Sequence, residues 1–232
     1  MTILKKSDKV KAHFEEEAKE FDEIILKLIP HYKDMIYALI SSIPFDHDAS
    51  IRVLDLGCGT GTITETLKEK FKNAKVTCLD LAENMIEMAK IKLNKYDNIE
   101  YVIGDFYSLN FSEKYDVIVS SLALHHLATD EDKIEFYKKI YEALDEGGVF
   151  YNADVVLGSN NYLQDLYISK WKEFMNLIVH MEEIEQKWIP AAEEEDHPAK
   201  LMNHINWLRE IGFKDIDVVW KYYSYVVYGG YK

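Results

Sequence analysis

The chain has 232 residues, 48% of them hydrophobic and 29% charged, which suits one globular domain with a sizeable core. Its formal net charge of −14, from 27 basic and 41 acidic side chains, repels phosphate backbones and argues against a nucleic-acid partner. No apolar run reaches a membrane span, the first residues are too charged for a secretory signal, and two cysteines make neither a disulfide framework nor a metal cluster, so a cytoplasmic chain with no membrane partner is expected.

Residues 5 to 41 predict two helices broken at Pro30, the first with an apolar stripe of Phe14, Ala18, Phe21, Ile25 and Leu28. "IRVLDL" from Ile51 is apolar and β-prone, and "GTITETLKEKF" follows at helical spacing through Ile63, Leu67 and Phe71. "KVTCLD" is a second strand. "AENMIEMAKIKL" is a second helix, with Met85, Met88, Ala89 and the stem of Lys92 facing inward. "IEYVIGD" and "YDVIVSS" are further strands. A helix from Thr129 or Asp130, either a suitable N-cap, ends before Gly147 and Gly148, and "GVFYNADVV" is the next strand. Residues 160 to 189 read as one helical stretch with Leu163, Leu166, Tyr167, Trp171, Phe174 and Ile178 on a face. "PAAEEEDHP" breaks it, and the acidic run 193–196 is expected to be a solvated loop. A helix closed by Gly212 and an antiparallel pair, "KDIDVVW" and "YSYVVYGGYK", finish the chain. Strands alternating with helices argue for a parallel sheet with right-handed crossovers.

Three of the ten glycines stand at Gly57, Gly59 and Gly61, between the first strand and its helix. Bare backbone there lets a ligand approach the carboxyl edge of the sheet. The spacing is G-x-G-x-G rather than the G-x-G-x-x-G of a dinucleotide site, and no basic residue lies in the loop to meet phosphate. Asp55 precedes the glycines, Asp80 ends the second strand and Asp105 follows the third, all at that edge. Three carboxylates suit a partly cationic ligand, and S-adenosyl-L-methionine, with its sulfonium and ammonium, is such a ligand.

"VLDLGCGTGT", "CLDLAENMIEMAK", "GDFYSLNF", "YDVIVSSLALHHL" and "LDEGGVFYNAD" resemble, in order across residues 51 to 155, the motifs of the class I S-adenosylmethionine-dependent methyltransferases. The resemblance implies an α/β, Rossmann-like, doubly wound seven-stranded sheet, mostly parallel with an antiparallel last strand. It implies a single domain 1–232: an N-terminal helical lid 1–45, a cofactor core 51–155, a helical substrate cap 156–210 and a closing hairpin 211–232. Carried over residue by residue, Gly57, Cys58, Gly59 and Gly61 form the loop under the methionine part, with Asp55 directed to its ammonium. Asp80 takes the ribose hydroxyls, Leu81 and Met85 flank the adenine, Asp105 accepts its exocyclic amine, Phe106 adds a ring contact, and Ser121 faces the methionine end.

Methyl transfer from a sulfonium is an in-line displacement that asks the protein mainly for alignment and exclusion of water. His125 and His126 follow Ser121 closely and are the catalytic candidates, as base or acceptor-orienting group. Trp171 and Phe174 are expected in the core. No metal site is expected, because His180, Glu183, His197 and His204 match no compact ligand spacing. The terminal helices resemble the carboxy-S-adenosylmethionine synthase family of tRNA modification, which makes Tyr32 a cofactor contact. Trp188 stands where that family carries a carboxylate-binding arginine, which favours ordinary methyl transfer to a small-molecule acceptor. The alternatives are a synthase of that kind or a non-catalytic S-adenosylmethionine-binding module. The sequence assigns no oligomeric state.

Overall fold

The computed structural model describes residues 11–14, 20–111 and 113–232. Ala18, assigned to the first helical stripe, lies outside them. Seven strands form one sheet in the order β3-β2-β1-β4-β5-β7-β6. They are β1 (Arg52–Leu56), β2 (Lys75–Asp80), β3 (Ile99–Ile103), β4 (Tyr115–Ser121), β5 (Leu144–Val155), β6 (Lys214–Tyr222) and β7 (Tyr225–Tyr231). The first five pair in parallel, and β7 runs antiparallel to both β5 and β6. This is the doubly wound arrangement that the alternating pattern predicts.

Helices cover both faces. On one lie α2 (Tyr32–Ser41), α3 (Thr62–Lys70) and α4 (Glu83–Lys92), whose Met35, Leu39, Leu67 and Ala89 pack on Val53, Val76 and Val117. On the other lie α5 (Asp130–Ala143) and α7 (Leu201–Ile211), whose Phe136, Tyr137, Ile140 and Leu208 pack on Leu54, Ile118 and Phe150. Thr129 caps α5 in a full capping box with Asp132, worth about 1 kcal/mol. Between α5 and the sheet, β5 starts at Leu144, earlier than the glycine pair suggested, and Gly147 sits inside it at φ 78°.

Two elements complete the site. Helix α1 (Phe21–Leu28) ends where Pro30 forces the preceding Ile29 into extended backbone. Helix α6 (Asn161–Met175), capped by Asn160, stops well short of residue 189. A turn follows, leaving Ile178 64% exposed rather than on the apolar face. The chain then resumes as Met181–Glu183, a π-helical segment Ile184–Trp188, and Ile189–Glu195. Pro190 therefore opens a helix instead of breaking one, which its missing N–H permits in a first turn.

Candidate active site

The strand order reverses between the parallel neighbours β1 and β4, and the crevice lies beyond the carboxyl ends of these strands. Gly57, Gly59 and Gly61 adopt φ of 69°, 52° and 86°, which side chains with a Cβ rarely tolerate. A Cβ at Gly57 would lie 2.3 Å from Ala123 Cβ. The loop amides are already used within the protein. The Gly57 and Cys58 amides donate to the Leu79 carbonyl at 2.8 and 2.9 Å, and the Gly59 amide donates to Asp80 Oδ2 at 2.8 Å. A phosphate cradle needs such amides turned outward; here β2 holds them.

A cleft of about 1050 Å³, mouth included, runs over this loop. Of the residues expected around a cofactor, Tyr32, Gly57, Cys58, Gly59, Asp80, Leu81, Met85, Asp105, Phe106 and Ser121 line it. Asp55 and Gly61 do not. Asp55 is fully buried behind the loop, where its Oδ2 accepts from Thr64 Oγ1 at 2.7 Å. Burial, with the Asp80 charge beside it, raises the Asp55 carboxyl to about 7, against the pull of the Thr64 hydrogen bond. Asp55 Oδ1 and Ser121 Oγ are buried without a hydrogen-bond partner among the described residues. Gly61 packs under Leu93 and opens α3.

Helix α1 roofs the cleft through Phe21 and Ile25. Asp22 fastens it: Thr60 Oγ1 donates to Asp22 Oδ1 at 2.6 Å, and Lys92 Nζ lies 2.6 Å from Asp22 Oδ2. Lys92 thus contributes its ammonium at the loop and not merely its stem to the core. Burial works against the Asp22 charge, yet Lys92 and the threonines hold its pKa below the usual range.

A second cavity of about 1570 Å³, mouth included, lies under α1, α6 and the π-helical segment. Its walls are mostly apolar, with Ile24, Leu28, Trp171, Trp188 and Tyr225 among them. Trp171, expected as pure core, also donates its Nε1 hydrogen to the Leu28 carbonyl at 2.7 Å, joining α6 to α1. The two cavities share Phe14, Phe21, Ile25, Leu122 and His126.

One polar cluster interrupts these apolar walls. His125 is buried, with Nδ1 2.5 Å from Asp154 Oδ1 and Nε2 3.4 Å from Asp196 Oδ1. Burial alone would lower its pKa, but the charges of Asp154 and Asp196 raise it to about 10. His126 is pushed the other way, to about 4, by burial and by the charge of His125. Asp154 is held in turn by Asn152, which also donates to the Tyr228 hydroxyl at 3.0 Å. The acidic run is therefore not a solvated loop at its end. The His197 amide donates to the His125 carbonyl at 2.9 Å, and this backbone clamp brings Asp196 onto the histidine pair. Sequence spacing offered no signal for a partner seventy positions away, nor for Asp154 near the carboxyl end of a buried strand. His180, Glu183, His197 and His204 are not the set the fold gathers; among the described residues, the three-residue group able to hold a metal is His125, His126 and Asp196. The chain's two arginines, Arg52 and Arg209, lie away from both cavities, Arg52 being paired with Asp116 and Asp145.

Comparison with known proteins agrees with this fold. Residues 53–148 match the family model described as a methyltransferase domain. A carboxy-S-adenosyl-L-methionine synthase of Nautilia profundicola is 26% identical over 220 residues, covering 94% of this chain and 93% of that protein. A malonyl-[acyl-carrier protein] O-methyltransferase of Bacillus anthracis is 39% identical over 97 residues, covering 41% of this chain and 36% of that protein. Among solved structures, human N-acetylserotonin methyltransferase in complex with SAM superposes with a TM-score of 0.63 at 17% identity, over 96% of this chain and 56% of that one. The present chain thus spans little more than half of that solved chain. Among the described residues no helix is long and apolar enough to cross a membrane.

Proposed function

We propose, for a chain that belongs to the class I S-adenosylmethionine-dependent methyltransferases, that it methylates a small-molecule acceptor with a largely apolar body seated in the second cavity. The cofactor is S-adenosyl-L-methionine. When bound it supplies a methyl group on a sulfonium centre that is already a good leaving group. The residues present suit it: a loop whose amides face β2 and not a phosphate, carboxylates at Asp80 and Asp105, an apolar wall of Leu81, Met85 and Phe106, and an unpartnered Ser121 hydroxyl at the methionine end.

In this reading Asp80 holds the ribose hydroxyls, Asp105 the adenine amine, and Asp55 supports the loop from behind. Tyr32, Cys58 and Gly59 border the methionine part. Phe14, Phe21, Ile25 and Leu122 keep water from the junction of the two cavities, which is where alignment matters most. His126 stands at that junction and orients the acceptor atom. His125, held between two carboxylates, positions His126 and does not serve as a free base at neutral pH. Segments 1–45 and 156–210 act as lid and substrate cap over the core 51–155, and 211–232 closes the sheet.

The observation that carries this reading is the shared wall of the two cavities, Phe14, Phe21, Ile25, Leu122 and His126. End-to-end similarity to the carboxy-S-adenosyl-L-methionine synthase gives a second reading. Against it stands the lack, among the described residues, of an arginine or lysine in the lining of either cavity, since an added carboxylate on the cofactor wants a cationic partner. Mass measurement of the ligand carried by the purified protein separates methyl from carboxymethyl cofactor. Incubation with isotopically labelled cofactor and a metabolite extract should label a small apolar compound; a protein that never transfers label to any compound overturns the enzyme reading.

A further inference from the structure

We propose that His125, His126 and Asp196 form a binding site for one divalent transition-metal ion of the zinc class, with a further coordination position open to the second cavity. The donor set is two imidazoles and one carboxylate, which suits zinc and related ions. Its geometry fits before any ion is considered. Asp196 Oδ1 lies 3.4 Å from His125 Nε2 and 3.6 Å from His126 Nδ1, and all three ligand atoms fall within 4.8 Å of one another. With metal–ligand bonds near 2.1 Å, the edge of a coordination tetrahedron is about 3.4 Å. Two of the three edges are therefore close to the required length.

A second observation is independent of these distances. The other ring nitrogen of His125, Nδ1, is engaged by the buried carboxylate of Asp154 at 2.5 Å. A carboxylate on the far side of a metal-bound imidazole orients the ring and raises its basicity. Asp154 is fixed by the Val155 amide and by Asn152, so the support is rigid. Two contacts compete for these atoms: the His125–Asp196 ion pair, whose Nε2 proton a bound metal would displace, and a long hydrogen bond of 3.3 Å between His126 Nδ1 and the Glu195 carbonyl, which coordination would replace. Both histidines and Asp196 border the second cavity, which leaves the fourth tetrahedral position facing it. A hydroxyl or thiol acceptor could occupy that position. This last consequence depends on the acceptor reading above; the metal site does not.

The test uses tag-free, chelator-stripped full-length protein titrated with zinc against a chromophoric chelator, and separately with cobalt(II) as a visible probe. One equivalent of zinc should bind, and cobalt should show the intense visible bands of a tetrahedral centre. Asp196→Asn and His126→Gln should each weaken zinc by at least tenfold, and Asp154→Asn by roughly 10- to 100-fold. Circular dichroism of each metal-free variant checks its fold. Absence of a saturable site in the wild-type chain overturns the proposal without reference to any variant. So does wild-type affinity in folded Asp196→Asn and His126→Gln. Neither result bears on methyl transfer, which labelled cofactor measures separately.

Discussion

Asp80 holds the glycine loop closed: its Oδ2 accepts the Gly59 amide at 2.8 Å while its Oδ1 accepts the Ala82 amide at 2.9 Å. One carboxylate thus joins the loop to the start of α4. Replacing it by alanine removes the proposed ribose acceptor and frees two amides. Asp80→Ala should weaken cofactor binding by about 100-fold or more and lower stability by about 1–3 kcal/mol. Calorimetry with the cofactor and a urea melt measure the two effects; unchanged affinity would remove the ribose assignment.

The glycines of the loop are not equivalent. At Gly57 a Cβ meets Ala123 at 2.3 Å, whereas at Gly59 the nearest atom, Phe21 Cε1, is 3.8 Å away. Both substitutions carry a left-handed backbone cost of about 1–2 kcal/mol. Gly57→Ala adds a collision in a packed wall, worth roughly 1–3 kcal/mol more. Thermal melts should therefore rank Gly57→Ala well below Gly59→Ala. Equal melting temperatures would contradict the close approach.

This loop shows how much the chain announced. G-x-G-x-G at a strand end, with Asp80 one strand on, was readable because glycine and carboxylate are scarce, position-specific signals. The strand order followed from alternation of apolar strands and amphipathic helices. What stayed hidden depends on contacts made at long range. Asp196 looked like part of a solvated acidic run because local charge density carries no information about the His197 backbone clamp. The break after Met175 and the helix through Pro190 escaped notice because an apolar stripe continues past a turn when tertiary packing supplies both sides. Asp55 looked like a ligand contact, but burial behind the loop is a property of depth, which spacing does not encode.

Asp55 gives the fold a pH dependence. Its pKa rises from 3.8 to about 7 on folding, so the folded chain binds the proton more tightly than the unfolded one. The stability it contributes is complete below about pH 4 and is lost as pH rises through 7. The span of roughly three pH units sets a ceiling of about 4 kcal/mol. Urea melts of the cofactor-free protein should show stability falling between about pH 4 and 7, and Asp55→Asn should flatten that slope. An identical slope in the variant would exclude Asp55 as its source.

The histidine pair separates by readout. His126→Ala should lower kcat by about 10- to 100-fold while cofactor affinity changes little, since His126 stands among the residues that border both cavities. His125→Ala strands the buried Asp154 carboxylate and should cost about 3–5 kcal/mol in stability as well. Steady-state kinetics and a denaturant titration distinguish the two. Normal turnover in both variants would end the catalytic assignment.

Asp22 secures the roof. Asp22→Ala releases Thr60 and Lys92 and frees α1 from the loop. The expected result is faster cofactor dissociation, by about tenfold, with the sheet unaffected because the clamp is a half-exposed pair. Stopped-flow release of a fluorescent cofactor analogue measures it. Wild-type dissociation would show that α1 is held by its apolar face alone.

Because β2 takes up the amides of Gly57, Cys58 and Gly59, redesigning this protein to accept a nucleotide would require more than adding positive charge. Three hydrogen bonds, from the amides of Gly57, Cys58 and Gly59, would have to be broken before an oxyanion met those donors. The second strand thereby sets which ligands this bend can meet, and laboratory evolution toward phosphate should stall at Asp80 first.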